Sequence, residues 1–212
     1  MSLTSKVDYH LGYPFIEIFK NKVNWKDIAY YQQLSEKFII KYKTYLDWII
    51  ISYHQVLSEN FIRTFQNDVC WTGIVCCQQL SEPFIREFKD RIDWSILPCC
   101  QKLSEPFIRE FQDILDWRTL SKTQQLSEPF IREFKERVNW WYITELQNIS
   151  EAFIIEFQHK IFIRNLLWNK NLQYFSKNFI VQFKPHFNKY YKYHTYSTKI
   201  QHWWKKNHTM SC

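Results

Sequence analysis

Four cysteines in two adjacent pairs, Cys76-Cys77 and Cys99-Cys100, stand one 23-residue step apart. Four thiolates are a zinc donor set, so the pairs invite a metal reading. Zinc sites, however, space paired ligands two to four residues apart, and neighbours on a helix point about 100° apart. A disulfide meets a second objection: regularly stacked helices hold equivalent Cα atoms about 9–10 Å apart, beyond the bridging limit of about 7 Å. At the same step the chain has Tyr30-Tyr31, Tyr53-His54, Lys122-Thr123 and Glu145-Leu146, so thiols are not a repeated feature. The expectation is reduced thiols in packing or partly exposed positions, with Cys77 and Cys100 the more buried of each pair and no metal.

Catalytic patterns are missing. The chain has no Gly-rich phosphate loop, no H-E-x-x-H and no G-x-S-x-G. Gly12 and Gly73 are its only glycines, too few for the tight loops that usually hold a catalytic cluster. His10, His54, His159, His186, His194, His202 and His208 share no metal-ligand spacing. A non-enzyme without cofactor is expected.

The far end of the chain offers a different chemistry. Residues 159–212 hold 10 of the 28 Lys+Arg and none of the 21 Asp+Glu, a net +10 that leaves −3 for residues 1–158. Lys184, Lys189, Lys192, Lys199, Lys205 and Lys206 interleave with Tyr190, Tyr191, Tyr193, Tyr196, Trp203 and Trp204. Cations that neutralise phosphate, mixed with rings on which bases stack, suit single-strand nucleic-acid binding. The same segment, 185–212, could instead cap the end of a repeat array or dock on an acidic protein or capsid surface.

The elements that would position these groups follow from self-similarity. LSEPFIREF occurs at 80–88, 103–111 and 126–134. Its leading position recurs every 23 residues at Leu11, Leu34, Leu57, Leu80, Leu103, Leu126 and Ile149, and a Trp column follows at Trp25, Trp48, Trp71, Trp94, Trp117 and Trp140. Phe175 begins a looser copy 26 residues after Ile149, so three residues are inserted there.

Each copy reads as two short helices. Ser81 can N-cap the first, roughly 81–91, with Pro83 in its first turn and Leu80 and Ile85 at staple spacing. Asp93 can cap the second, roughly 94–101, which ends near the Gln column Gln32, Gln55, Gln78, Gln101, Gln124 and Gln147. Asn24, Asp47, Asp116 and Asn139 fill the second cap elsewhere, while Cys70 predicts one weaker cap. Pro98, inside its helix, predicts a kink or tight turn. Neither Pro98 nor Gly73 argues for a ligand.

Hairpins of this size cannot bury their Phe, Ile and Trp alone but can bury them against copies of themselves. The expected fold is all-α, an α-solenoid of about seven to eight hairpins and an elongated rod or arc. Residues 1–10 would be an N-terminal cap, 11–184 the array with a degenerate last copy at 159–184, and 185–212 a basic aromatic cap or tail.

Glu and Arg stand at i,i+4 in Glu59/Arg63, Glu82/Arg86, Glu105/Arg109 and Glu128/Arg132. Stacking would make them ladders, either self-paired on a solvated face or a track for a partner. The second helix varies between copies: KDIAYY, IIISYH, TGIVCC, SILPCC, RTLSKT, WYITEL. A constant scaffold with one varied face is how solenoids usually present a binding surface. Tyr30, Tyr31, Tyr53, His54, Trp141 and Tyr142 are the expected partner contacts.

The run LSEPFIREFKDRIDW, a following Trp-x-x-Ile helix and a further QxLSE resemble the short repeats of mostly uncharacterised proteins encoded by giant DNA viruses of amoebae. The similarity covers about 11–158. It implies a viral origin and carries over no activity. The combined expectation is a non-enzymatic scaffold for protein–protein interaction, in the virion or the host cytoplasm, with a capsid or host protein as partner. The alternative is a nucleic-acid-binding protein acting through the C-terminal segment. No apolar run reaches the roughly 18 residues of a membrane span, and the start lacks the order of a secretory signal, so a soluble, unsecreted chain without membrane contact is expected.

Overall fold

The computed structural model describes residues 12–166, 168–169, 175–176, 178–179 and 181–182. Residues 1–10 and the segment from Lys184 onward, where two of the expected caps fall, lie outside the described residues. Among the described residues the chain is all-α, with fourteen helices and no strand, and the fold is an α-solenoid of repeated helix pairs. It divides into two compact units between Leu103 and Ser104.

The first unit contains α1 (Tyr13–Ile18), α2 (Trp25–Tyr31), α3 (Glu36–Lys41), α4 (Trp48–His54), α5 (Glu59–Thr64), α6 (Trp71–Cys77), α7 (Glu82–Glu87) and α8 (Leu97–Cys100). Second helices stack on second helices: α2 on α4, α4 on α6, α6 on α8. The second unit contains α9 (Glu105–Glu110), α10 (Trp117–Thr123), α11 (Glu128–Glu133), α12 (Trp140–Leu146), α13 (Glu151–Glu156) and α14 (Ile163–Leu166), and there α12 packs against both α10 and α14.

Helices of six or seven residues are too short to stand alone in water, so caps and burial must hold them. Ser35, Ser58, Ser81, Ser104, Ser127 and Ser150 each accept a hydrogen bond from the N–H of the Phe three residues on. Asn24, Asp47, Asp116 and Asn139 cap the second helices through two N–H groups each, whereas Cys70 makes no side-chain cap bond. Phe84, Phe107, Phe130 and Phe153 and the Ile after each are fully buried, and burying such a side chain is worth about 1.5–3 kcal/mol. Within each unit the Trp ring leans on the aromatic pair of the next first helix: Trp25, Trp48 and Trp71 do so in the first unit and Trp117 and Trp140 in the second, Trp71 lying 6.3 and 4.9 Å from Phe84 and Phe88 by ring centroids.

Two boundaries differ from the sequence reading. The first helix stops at Glu87, because the chain tightens at Phe88 (φ −109°, ψ 25°) and Arg91 N–H donates to the Phe88 carbonyl three residues back. In the fourth hairpin, Asp93 accepts from the Ser95 N–H and hydroxyl and so caps a turn, while the helix proper starts at Leu97 with Pro98 in its first turn. Pro98 thus shortens its helix, as a proline lacking an N–H must.

No described residue has a positive φ, which accounts for the scarcity of glycine. Helices commonly end on a left-handed glycine that satisfies the last carbonyls. Here α2, α4, α6, α8, α10 and α12 run into an extended Gln, for example Gln78 at φ −100° and ψ 151°, and within each unit the carbonyls of Gln32, Gln55, Gln78 and Gln124 find partners in the next hairpin. The insertion in the last copy is also located. Asn169 takes the Gln role 22 residues after Gln147, yet Ser176 caps Phe179 26 residues after Ser150, so the extra residues fall between Asn169 and Ser176.

Candidate functional site

The residues shared by every copy are consumed in holding the copies together. Gln78 is buried; its Nε2 donates to the carbonyls of Ser52 (3.2 Å) and Gln55 (2.8 Å), and its Oε1 accepts from Leu57 N–H at 2.9 Å. Gln55 and Gln101 repeat this in the first unit, and Gln147 does so in the second. One amide therefore supplies the partners that a C-terminal glycine motif would have supplied.

Glutamate acts across hairpins too. The Ser81 N–H donates to Glu59 at 2.7 Å, as Ser58 does to Glu36 and Ser127 to Glu105. In a capping box the reciprocal carboxylate comes from the same helix; here it comes from the first helix of the preceding hairpin. Glu59, Glu82 and Glu128 also lie 3.3–3.6 Å from the Arg four residues on, Arg63, Arg86 and Arg132. Arg63 also bonds Glu87 and lies 5.0 Å over the Phe84 ring, and Arg132 treats Glu156 and Phe153 alike. These ladders are self-paired, which leaves the track reading without spare charge at these arginines.

Of the varied second-helix positions, one is buried in every copy (Ala29, Ser52, Val75, Pro98, Ser121 and Thr144), and exposure is found at others. Tyr30 and Tyr31 are 51% and 74% exposed, with rings 4.6 Å apart, and Tyr30 packs at a tilt against His54 with centroids 4.1 Å apart. These three form one aromatic group in the first unit. Tyr53 is engaged differently: its ring lies over Gly73, where an added Cβ would come within 2.8 Å of Cδ2. Burial, then the nearby thiols of Cys70, Cys76 and Cys77, raises the Tyr53 phenol above its ordinary pKa. Gly73 is thus a notch for a neighbouring ring.

In the second unit Trp141 is exposed and packs on Phe162 at 5.4 Å, while half-buried Tyr142 has Arg118 and Lys122 6.0 and 5.9 Å from its ring centroid. Ile49, at the Trp141 position of its own copy, is also exposed and was missed, because its run of isoleucines reads as core. Lys184, Lys189, Lys192, Lys199, Trp203, Trp204, Lys205 and Lys206 lie outside the described residues.

The thiols are free, and among the described residues no group of three or more His, Cys, Asp or Glu is arranged to hold a metal. Cys100 is half-buried and Cys99 exposed, as expected, but Cys77 is exposed like Cys76. Cys100 Sγ donates to Cys76 Sγ across 3.3 Å. Burial first, and this bond second, pushes the Cys100 thiol up to about 12.

Among the described residues no helix is long and apolar enough to cross a membrane. No family model matches the chain, and no curated protein or solved structure matches it.

Proposed function

We propose that the protein is a non-enzymatic helical-repeat scaffold that binds other proteins through the varied face of its second helices. The observation that carries this reading is a division of labour. The common Gln, Glu, Arg, Ser and Trp are tied into bonds within and between hairpins, while Tyr30, Tyr31 and His54 form an exposed aromatic group tied to none of those ladders. Exposed Tyr is a preferred anchor at interfaces, giving large contact area at low entropic cost. The resemblance of the repeat to those of giant-virus proteins suggests a virion or an infected cytoplasm as the setting and a capsid or host protein as the partner. Panning a displayed peptide library against the full chain tests the reading. It expects an enriched motif whose capture is lost on Tyr30→Ala/Tyr31→Ala; no enrichment, or enrichment indifferent to these changes, opposes it.

A second reading, nucleic-acid binding, is favoured by the +10 charge and interleaved aromatics of residues 159–212. It expects single-strand affinity that falls steeply with salt and that drops when Lys189, Lys192, Lys199, Lys205 and Lys206 become Gln. Binding insensitive to both salt and these substitutions counts against it.

A further inference from the structure

We propose that Cys76 and Cys100 form a two-thiol modification site that low-molecular-weight disulfides oxidise to a reversible staple between α6 and α8. The site arises from a diagonal in the stack. The penultimate residue of one second helix meets the last residue of the next: Tyr30 meets His54 at 4.1 Å between ring centroids, and Cys76 meets Cys100 at 3.3 Å between sulfurs. Residues at the same position of successive copies are held apart by the helix spacing, but residues on this diagonal touch. Closing the sulfurs to a bond of about 2 Å asks for a side-chain movement of about 1 Å. α6 already packs on α8.

The two thiols are unequal in a way that orders the chemistry. Cys76 is exposed and accepts the hydrogen bond; Cys100 is half-buried, donates it and holds its proton. Cys76, as thiolate, attacks one sulfur of the small disulfide, forming a mixed disulfide and expelling one small thiolate, which takes up a proton. Cys100 then gives up its proton and attacks Cys76 Sγ, expelling the second small thiol. Two protein thiols and one small disulfide become one protein disulfide and two small thiols. The cysteines lose two electrons and the small disulfide gains them. The staple would lock two second helices in the same columns that carry Tyr30, Tyr31 and His54 in other copies.

Equilibrating the full chain with glutathione and glutathione disulfide, then mapping linkages by mass spectrometry, tests the proposal. The wild type and Cys77→Ser/Cys99→Ser are expected to lose two hydrogens, carry one Cys76–Cys100 bond and melt at a higher temperature, all reversed by dithiothreitol. Cys76→Ser and Cys100→Ser, with unchanged circular dichroism, are expected to lose the bond and the melting shift, and Cys100→Ser to carry a glutathione adduct at Cys76 instead. The proposal is overturned if the wild type stays reduced or gains only glutathione adducts. It is equally overturned if the loss of two hydrogens and the melting shift persist in Cys76→Ser or Cys100→Ser, or vanish in Cys77→Ser/Cys99→Ser.

Discussion

The side chain of Gln78 donates to the backbone carbonyl of Gln55, its own counterpart 23 residues earlier, at 2.8 Å. The bond joins two helix ends whose last carbonyls would otherwise lie buried without a partner, and the same amide serves Ser52 and Leu57. Gln78→Ala leaves two carbonyls and one N–H to find water. With a buried unsatisfied group costing about 1–3 kcal/mol, a loss of about 3 kcal/mol is expected in urea unfolding. Gln78→Met, similar in volume but apolar, should cost about as much by the same desolvation argument. A loss below about 1 kcal/mol in both would show that the clasp is dispensable.

Glu59 is expected to matter as an acceptor more than as a charge, since it takes the Ser81 N–H at 2.7 Å but lies 3.6 Å from Arg63. Exposed ion pairs contribute little and caps contribute about 1 kcal/mol. Glu59→Gln should therefore stay within about 0.5 kcal/mol of wild type and Glu59→Ala should lose about 1 kcal/mol. Equal losses in the two variants would assign the effect to charge.

Much of this architecture was legible in the sequence, and the part that was not has a physical reason. The period, the Ser and Asp/Asn caps, the weak cap at Cys70 and the disruption at Pro98 are local signals, carried within a few residues. The Gln clasp was visible only as a column ending each second helix, because its partners lie 21, 23 and 26 residues away and meet it only once hairpins stack. Glu59 was readable as an i,i+4 partner of Arg63, but its forward reach to Ser81 again depends on stacking. Cys76 and Cys100 were weighed against their equivalents and not along the diagonal, and only the diagonal touches. For the exposed aromatics, position was legible and partner was not, since a varied surface says where contact is free to occur and nothing of what makes it.

Gly73 and Tyr53 should be energetically coupled. Replacing a helical Gly by Ala gains about 1 kcal/mol in propensity, but a Cβ at Gly73 would press on the Tyr53 ring at 2.8 Å. Gly73→Ala is expected to be less favourable in the wild type than in Tyr53→Ala by at least about 1 kcal/mol, read from a double-mutant cycle. Identical effects in both backgrounds would mean that the ring swings away freely.

Acid should loosen the second helices through their aspartate caps. Hydrogen bonds from Thr119, its hydroxyl first, hold the Asp116 carboxyl below its ordinary value of 3.8. A depressed folded-state pKa contributes stability that is present above the unfolded value and is lost as pH falls through the folded one. Asn139 fills the same position in the next copy and caps equally through two N–H groups. Asp116→Asn should therefore match wild type within about 0.5 kcal/mol at neutral pH and lose less stability between about pH 5 and pH 2. Parallel pH profiles would remove Asp116 from the acid response.

The separation of holding residues from contact residues is tested most directly by one variant, Tyr30→Ala/Tyr31→Ala/His54→Ala, assayed for both properties. Affinity for a peptide selected on the wild-type chain should fall at least about tenfold, a change of about 1.4 kcal/mol, while the urea midpoint stays that of the wild type. Unchanged affinity, or a midpoint that collapses as far as that of Gln78→Ala, would contradict the account.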